Sequence, residues 1–369
     1  MQITQIEVFQ FPVRLKKPFV ISLGAFHYAE NIIVVLRTKE GLTGFGECSP
    51  FMPINGESME TGYVVARYLA QSLMGKNPLD IEECSDTMDR TIFGNSSIKS
   101  AFDIALYDIA SQAAGLPLYA LLGGQNNKVL KTDYTVSLGE PEQMVADALE
   151  IKERGFQIIK VKLGDDPEMD IFRIKAIREA IGNEIPLRLD ANQGWDAESA
   201  IRVLNELSEC NIQFCEEPIP RWNFMELPRI SRESKVMIMA DESCCDQNDA
   251  QRLIDLQAAP SFNIKLGKSS GIFKAQKIIK LAEKANLQLQ IGGFLESRIG
   301  FTASAHLALT SDAVKFCDFD TPMMFSEDPV CGGIQYGPNG VVTVPEVPGL
   351  GASLDVLYLQ KLNGFTLKS

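Results

Sequence analysis

The chain has 369 residues, 45% hydrophobic and 22% charged, enough for one large domain or two ordinary ones with a full core. Its formal net charge of −13, with no basic cluster, argues against a nucleic-acid or anionic-membrane surface and would suit a cationic group on a substrate. The eight cysteines show no CxxC spacing, no apolar run approaches membrane-spanning length, and Met1–Ile6 reads as a strand rather than a signal peptide, so a cytoplasmic protein is expected.

In chain order, residues 1 to about 50 read as an antiparallel unit. Its strands are Ile3–Phe11, Asn31–Arg37 and Gly44–Glu47, with turn signals such as Gly41 between them. From about 58 to 121 apolar residues recur at three- and four-residue spacing, clearest over Ala101–Ala114, where Gly115 and Pro117 stop the helix. Strands followed by helices predict an α+β domain over residues 1–125.

After Gly123 and Gly124 the rhythm changes to short apolar strands alternating with amphipathic helices. The strands are expected at Thr132–Leu138, Gln157–Leu163, Pro186–Leu189, Ile212–Cys215, Val236–Ala240, Ser261–Ile264, Leu287–Ile291 and Val314–Cys317. Eight such alternations predict a closed (β/α)₈-type TIM barrel over 126–329. An open doubly wound sheet would carry a Gly-rich phosphate loop after its first strand, and Thr135–Gly139 is not one. Residues 330–369 enclose one strand, Gly340–Pro345, and are expected to return to the N-terminal unit.

Barrel chemistry sits at the C-terminal strand ends. Strand 2 ends in Lys160 and Lys162, which alternation places on one face. Strands 3, 4 and 5 end in Asp190, Glu216 and Asp241, spaced 26 and 25 residues apart (216−190, 241−216), one βα unit each. Three converging carboxylates repel one another unless a cation joins them, so a hard divalent ion held through oxygen, most simply one Mg²⁺ per subunit, is expected. Helix N-capping explains one such acid but not three in register. Lys265, 24 residues after Asp241, ends strand 6. Strands 2 and 6 face each other across an eight-stranded mouth, so Lys162 and Lys265 can take a proton from one face of a carbon and return one to the other, which is racemisation or epimerisation. Lys160 is expected to lower the pKa of Lys162 through its charge. The only histidines are His27 and His306, and His306 reads as a packed helix residue, leaving the acid–base work to lysine.

The runs Lys160–Lys162, Asp190–Asn192, Glu216–Pro218, Asp241–Ser243 and Lys265–Gly271, with Ala105–Asp108 and Leu121–Gly124, resemble the enolase superfamily, muconate-lactonising-enzyme subgroup, over nearly the whole chain. The resemblance implies Lys162 and Lys265 as the acid/base pair and Asp190, Glu216 and Asp241 as Mg²⁺ ligands. The pairing of lysine with Mg²⁺ and an enediolate is that superfamily's own chemistry. Mandelate-racemase-like members place a histidine at strand 7, where Ile291–Phe294 has none. Asp318 and Asp320, on one face of strand 8, resemble the Asp-x-Asp motif by which dipeptide epimerases hold the substrate ammonium.

Specificity is expected from capping segments near 19–27 and 50–57. Ala-Glu-type epimerases carry an arginine in the first of these; here Phe19–His27 has none, and Phe51, Met52 and Ile54 make the second apolar. The expected substrate-lining residues are Phe19, Gly24, Ile54, Phe294, Leu295, Asp318, Asp320 and Thr135, the last near the peptide linkage. An acidic C-terminal residue would be desolvated there without a partner. The expectation is therefore a dipeptide epimerase inverting the C-terminal α-carbon, preferring hydrophobic C-terminal residues, and homo-oligomeric. The alternatives are an o-succinylbenzoate synthase-like lyase, an N-acylamino-acid racemase, or a catalytically silent peptide binder.

Overall fold

The computed structural model describes all of residues 1–369. Eight parallel strands follow one another in sequence order around a single sheet: Tyr134–Val136, Ile159–Lys162, Leu187–Asp190, Ile212–Glu216, Ile238–Ala240, Ser261–Lys265, Gln288–Gly292 and Val314–Cys317. A parallel bridge between Thr132 and Cys317 joins the last strand to the first and closes the barrel. Each strand alternates its residues inward and outward. In strand 2, Ile159 and Val161 pack outward against helices while Lys160 and Lys162 point inward, and all four are buried.

Seven strands are followed by helices, but the eighth is not. Pro322 stands just after strand 8 and the chain makes only a short 3₁₀ turn, Thr321–Met324, before running into Gly- and Pro-rich segments. The eighth strand–helix alternation implied by the sequence pattern is therefore replaced by irregular chain. Within 330–369, Val341–Thr343 pairs with Leu130–Lys131 at the barrel, Val330–Gly332 pairs with Ala352–Leu354, and only Gly364–Lys368 joins the N-terminal sheet, antiparallel to Ile3–Ile21.

The N-terminal sheet runs Gly364–Lys368, Ile3–Ile21, Gly24–Thr38, Thr43–Cys48, all antiparallel. Its first hairpin is longer than its pattern suggests. The segment 19–27 is not a loop: Phe19 pairs with Phe26, Val20 with Ala25 and Ile21 with Gly24 around Ser22 and Leu23. Gly24, at φ +139°, takes the conformation that closes this turn. One face of the sheet packs on Met59–Leu73 and Ser96–Ala114. The helix comes so close that a Cβ on Gly46 would lie 1.9 Å from the Ala101 carbonyl oxygen.

Two buried acids of this capping unit bind the barrel's helix N-termini. Glu47 accepts hydrogen bonds from the Ser297 and Gly300 amides (2.9 and 2.8 Å) at the start of Arg298–Ala308. Asp103 accepts from the Ile272 amide (2.5 Å) at the start of Ile272–Lys284. No helix is long and apolar enough to cross a membrane.

His306 is a packed helix residue with a fixed neutral tautomer. Its Nε2 bonds the Leu350 carbonyl at 3.1 Å, and its Nδ1 accepts from the Tyr119 amide at 3.3 Å. Burial depresses its pKa from 6.5 to about 4. A depressed folded-state value means stability present above 6.5 is lost as pH falls toward 4, because the unfolded chain takes up the proton first. Urea midpoints at pH 7 and pH 5 are expected to show His306→Gln lacking about 2 kcal/mol of the acid destabilisation seen in the unaltered chain.

Candidate active site

The barrel interior is polar in layers. Nearest its floor, Arg188 bonds Asp133 and the Cys317 carbonyl, both at 2.8 Å, between the rings of Phe214 and Phe316. Above it lies Lys160, buried to 1% exposure, with its Nζ 2.8 Å from Asp318, 3.0 Å from Glu216 and 3.2 Å from Asp190. Gln290 and Asn263 donate to the Glu216 carboxylate at 2.5 and 3.3 Å. At the mouth, Lys162 pairs with Asp190 and Lys265 with Asp241, each at 2.7 Å.

The strand ladder brings these groups together. Lys162, Asp190 and Glu216 are register partners across strands 2, 3 and 4, and Asp241 is the first residue beyond strand 5. Asp190, Glu216 and Asp241 are fully buried, and their ligand oxygens lie within 4.8 Å of one another. Every donor is a carboxylate oxygen, with no sulfur or nitrogen in the set. The residues therefore fit a hard divalent cation such as Mg²⁺. The backbone around them is strained: Asn192, Gln193 and Glu217 have φ of 40°, 71° and 31° just past strands 3 and 4. Gly164 closes the turn after Lys162 at φ +97°, where a Cβ would stand 1.9 Å from the Ala191 carbonyl oxygen.

Three further residues hold Asp241 and carried no role in the sequence reading. Lys268 contributes an ion pair to the Asp241 carboxylate at 2.5 Å and a bond to the Asn263 carbonyl at 2.9 Å. Glu217 accepts from the Asp241 amide at 2.7 Å, and Ser243 bonds Glu217 in turn. Lys268 sits one helical turn from Lys265, a spacing that could have marked it. Asn263 and Gln290 were detectable as polar residues at inward-facing positions of otherwise apolar strands.

The structure adds a part for Lys160 that its position on strand 2 did not suggest. It does not stand beside Lys162 as an isolated charge. Burial alone would depress its pKa, but Asp318, Glu216 and Asp190 outweigh burial and hold it well above the ordinary value. It is the countercharge joining the acid trio to strand 8. Burial pushes Asp318 up too, but Lys160 prevails and keeps it below the usual carboxylate value. Asp320 is pushed up to about 7 by burial and by the charge of Asp318. One Asp320 oxygen accepts from the Thr135 amide at 2.7 Å, and the other has no partner although buried.

Lys160, Lys162, Lys265, Thr135, Asp318, Asp320, Phe19, Ile54 and Phe294 all line one cavity, with Phe51 and Asn192. Phe19 lies over Lys162 (5.5 Å from Nζ to ring centre) and Phe294 over Lys265 (5.0 Å), and Phe51 stacks on Phe294 at 5.4 Å. Two expected residues do not line it. Gly24 is exposed at the hairpin turn, and Leu295 is buried against the capping unit, its carbonyl accepting from Asn31 at 2.7 Å. Met52 also faces solvent, 65% exposed. The roof is pinned by Ser22 donating to the Asn192 carbonyl (2.9 Å) and Arg221 to the Ile54 carbonyl (2.6 Å). At 30 Å³ the cavity holds no more than a few waters, less than a dipeptide fills.

Replacing Lys160 with Met removes the shared countercharge of three buried carboxylates. Lys160→Met is expected to lower unfolding free energy by about 3 kcal/mol or more in metal-free buffer, read from urea denaturation.

Two family models cover most of the chain: "Mandelate racemase / muconate lactonizing enzyme, N-terminal domain" over residues 3–123 and "Enolase C-terminal domain-like" over 143–357. The D-Ala-D/L-Ala epimerase of Cytophaga hutchinsonii is 56% identical over 362 residues, covering 98% of each chain. A crystal structure of dipeptide epimerase from Cytophaga hutchinsonii, complexed with Mg and D-Ala-L-Val, superposes with a TM-score of 0.99 at 55% identity and full coverage of both chains. That of dipeptide epimerase from Enterococcus faecalis, with Mg and L-Leu-L-Tyr, does so with a TM-score of 0.93 at 38% identity, over 96% of this chain and 100% of that one. With its barrel, capping unit and acid trio in place, the chain belongs to the enolase superfamily, in the muconate-lactonising-enzyme subgroup.

Proposed function

We propose that this protein is a Mg²⁺-dependent dipeptide epimerase that inverts the α-carbon of the C-terminal residue. The observation that carries the reading is a single cavity with Lys162 and Lys265 on strands 2 and 6, four apart in an eight-strand barrel, and the acid trio on the strands between. Its similarity to the two dipeptide epimerases supports the same substrate class.

Asp190, Glu216 and Asp241 would hold Mg²⁺, which when bound supplies Lewis-acid stabilisation of the negative charge developing on the substrate carboxylate. The chain's own residues do the rest. The neutral amine of one lysine takes the α-proton from one face of the carbon. The ammonium of the other returns a proton to the opposite face, and the reverse reaction exchanges their roles. One proton leaves carbon and one arrives, so no net acid or base is consumed. Phe19 and Phe294 exclude water from the two lysines. Asp320, with an unpartnered buried oxygen, and Asp318 beside it receive the substrate ammonium. Asp190 and Asp241 keep both lysines in place before substrate arrives.

The C-terminal side chain would lie against Phe19, Ile54 and Phe51, an apolar wall. Hydrophobic C-terminal residues are therefore preferred.

Incubating L-Ala-L-Val with the protein and Mg²⁺ in D₂O is expected to place deuterium at the valine α-carbon as D-Val forms, monitored by NMR. Failure to exchange across a panel of hydrophobic dipeptides sinks the proposal. Chelation of the metal is expected to abolish exchange and Mg²⁺ to restore it. Lys162→Ala is expected to lower kcat by about 10³-fold or more. Asp320→Asn is expected to lower kcat/KM by roughly 10- to 100-fold, the worth of a charge-assisted hydrogen bond to the ammonium. A lyase or N-acyl racemase acting on ammonium-free substrates would hardly notice the Asp320 change.

A further inference from the structure

Beside the lysine cavity lies a larger one that the proposed chemistry leaves idle. It measures 620 Å³ and runs between the hairpin arm at Lys16–Val20, the chain just past barrel strand 1, the helix Pro141–Glu153 and the turn Thr321–Met324. Phe19 and Thr135 line both cavities, so the two adjoin there. Val20, Leu138, Met323 and Met324 give the groove an apolar stretch of wall, and Lys16, Arg154, Asp147 and Glu150 line it too. Lys17 spans its rim to Asp147 and Glu150 at 3.0 and 3.2 Å, an exposed pairing that water screens.

Asp318 and Asp320 line the lysine cavity, and the groove opens from that cavity's strand 1 edge at Phe19 and Thr135. Below them the barrel is filled by Lys160, Arg188 and Asp133. Toward strand 7 the lysine cavity ends at Gly293, where a Cβ would stand 2.4 Å from Glu296 and 2.6 Å from Phe301, and at Thr321, bonded to the Glu296 carbonyl at 3.1 Å. On the strand 1 side, the Thr135 amide that bonds Asp320 borders the groove, and Met323 and Met324 follow Asp320 on the same turn.

We infer that this groove is a subsite for the side chain of the substrate's N-terminal residue, and that it takes long apolar side chains such as Met, Leu and Phe. The inference rests on the dipeptide-epimerase reading. An ammonium on Asp318 and Asp320 puts the N-terminal α-carbon one bond away, with the groove as the open direction for its side chain. Methionines in the wall are flexible and polarizable, so they adapt to side chains of different shape rather than selecting one. The small apolar wall at the C-terminal side and the larger groove at the N-terminal side make the protein more permissive at the first residue than at the second.

The test is the ratio of kcat/KM for L-Met-L-Val to that for L-Ala-L-Val, measured by α-deuterium exchange in D₂O. The unaltered protein is expected to favour L-Met-L-Val or treat the two alike, because the longer side chain buries apolar area in the groove. Met323→Trp and Leu138→Trp, which fill the groove from opposite walls, are each expected to lower the ratio about tenfold or more. Met323→Ala, which enlarges it, is expected to leave the ratio at or above the starting value. A ratio that neither tryptophan moves, or a starting ratio far below one, overturns the subsite while leaving the epimerase intact. Exchange of neither dipeptide by the unaltered protein overturns the epimerase reading and the subsite with it.

Discussion

Everything in this barrel depends on how a buried cluster of carboxylates is kept neutral. Most barrels fill their interior with branched apolar side chains. Here two lysines of strand 2, with Lys265 and Lys268 of strand 6 and its following turn, face Asp190, Glu216, Asp241 and Asp318 inside a shell of outward-packed Ile, Val and Leu. Removing such charges from water costs several kcal/mol each, and only close pairing offsets it. Lys160 is the hinge of that balance, because it alone touches carboxylates of strands 3, 4 and 8. The same groups that keep the interior folded are those that the proposed reaction uses.

This double duty gives the site its rigidity. Each reactive side chain stands on a strand end, held in register by its neighbours, and each acid has at least one fixed partner behind it. The roof lies above: the hairpin carrying Phe19 and the short segment carrying Phe51 and Ile54, each tied to the barrel loops by hydrogen bonds. A fixed reacting layer under a lightly fastened roof is what a site needs if it must exclude water yet admit a peptide.

Much of this was legible in the sequence because a strand's period of two leaves no freedom about which residues share a face. Lys160 and Lys162, the spacing of the three acids, and Lys265 opposite all followed from that rule and from the length of a βα unit. What stayed hidden depends on contacts between residues far apart in the chain. The Lys160–Asp318 pair spans 158 positions and links strands that nothing in either segment associates. That pairing makes Lys160 a countercharge to the acids, a part its position next to Lys162 did not suggest. The hairpin at 19–27 escaped because its turn residues, Ser22 and Leu23, lack the usual Asn-Gly signature. The missing eighth helix escaped because Pro322 alone does not say whether a helix starts late or never.

The acids Glu47 and Asp103 reach from the N-terminal unit to cap two barrel helices, and this constrains how such a protein can change. Neither unit is a module that could be exchanged or deleted while the other stays whole. A barrel without its partner would leave the first amides of Ile272–Lys284 and Arg298–Ala308 without these acceptors, and a foreign partner would have to supply carboxylates at the same two points. Diversity in substrate choice is therefore channelled into the roof segments and the groove wall, whose residues can vary without disturbing the joint.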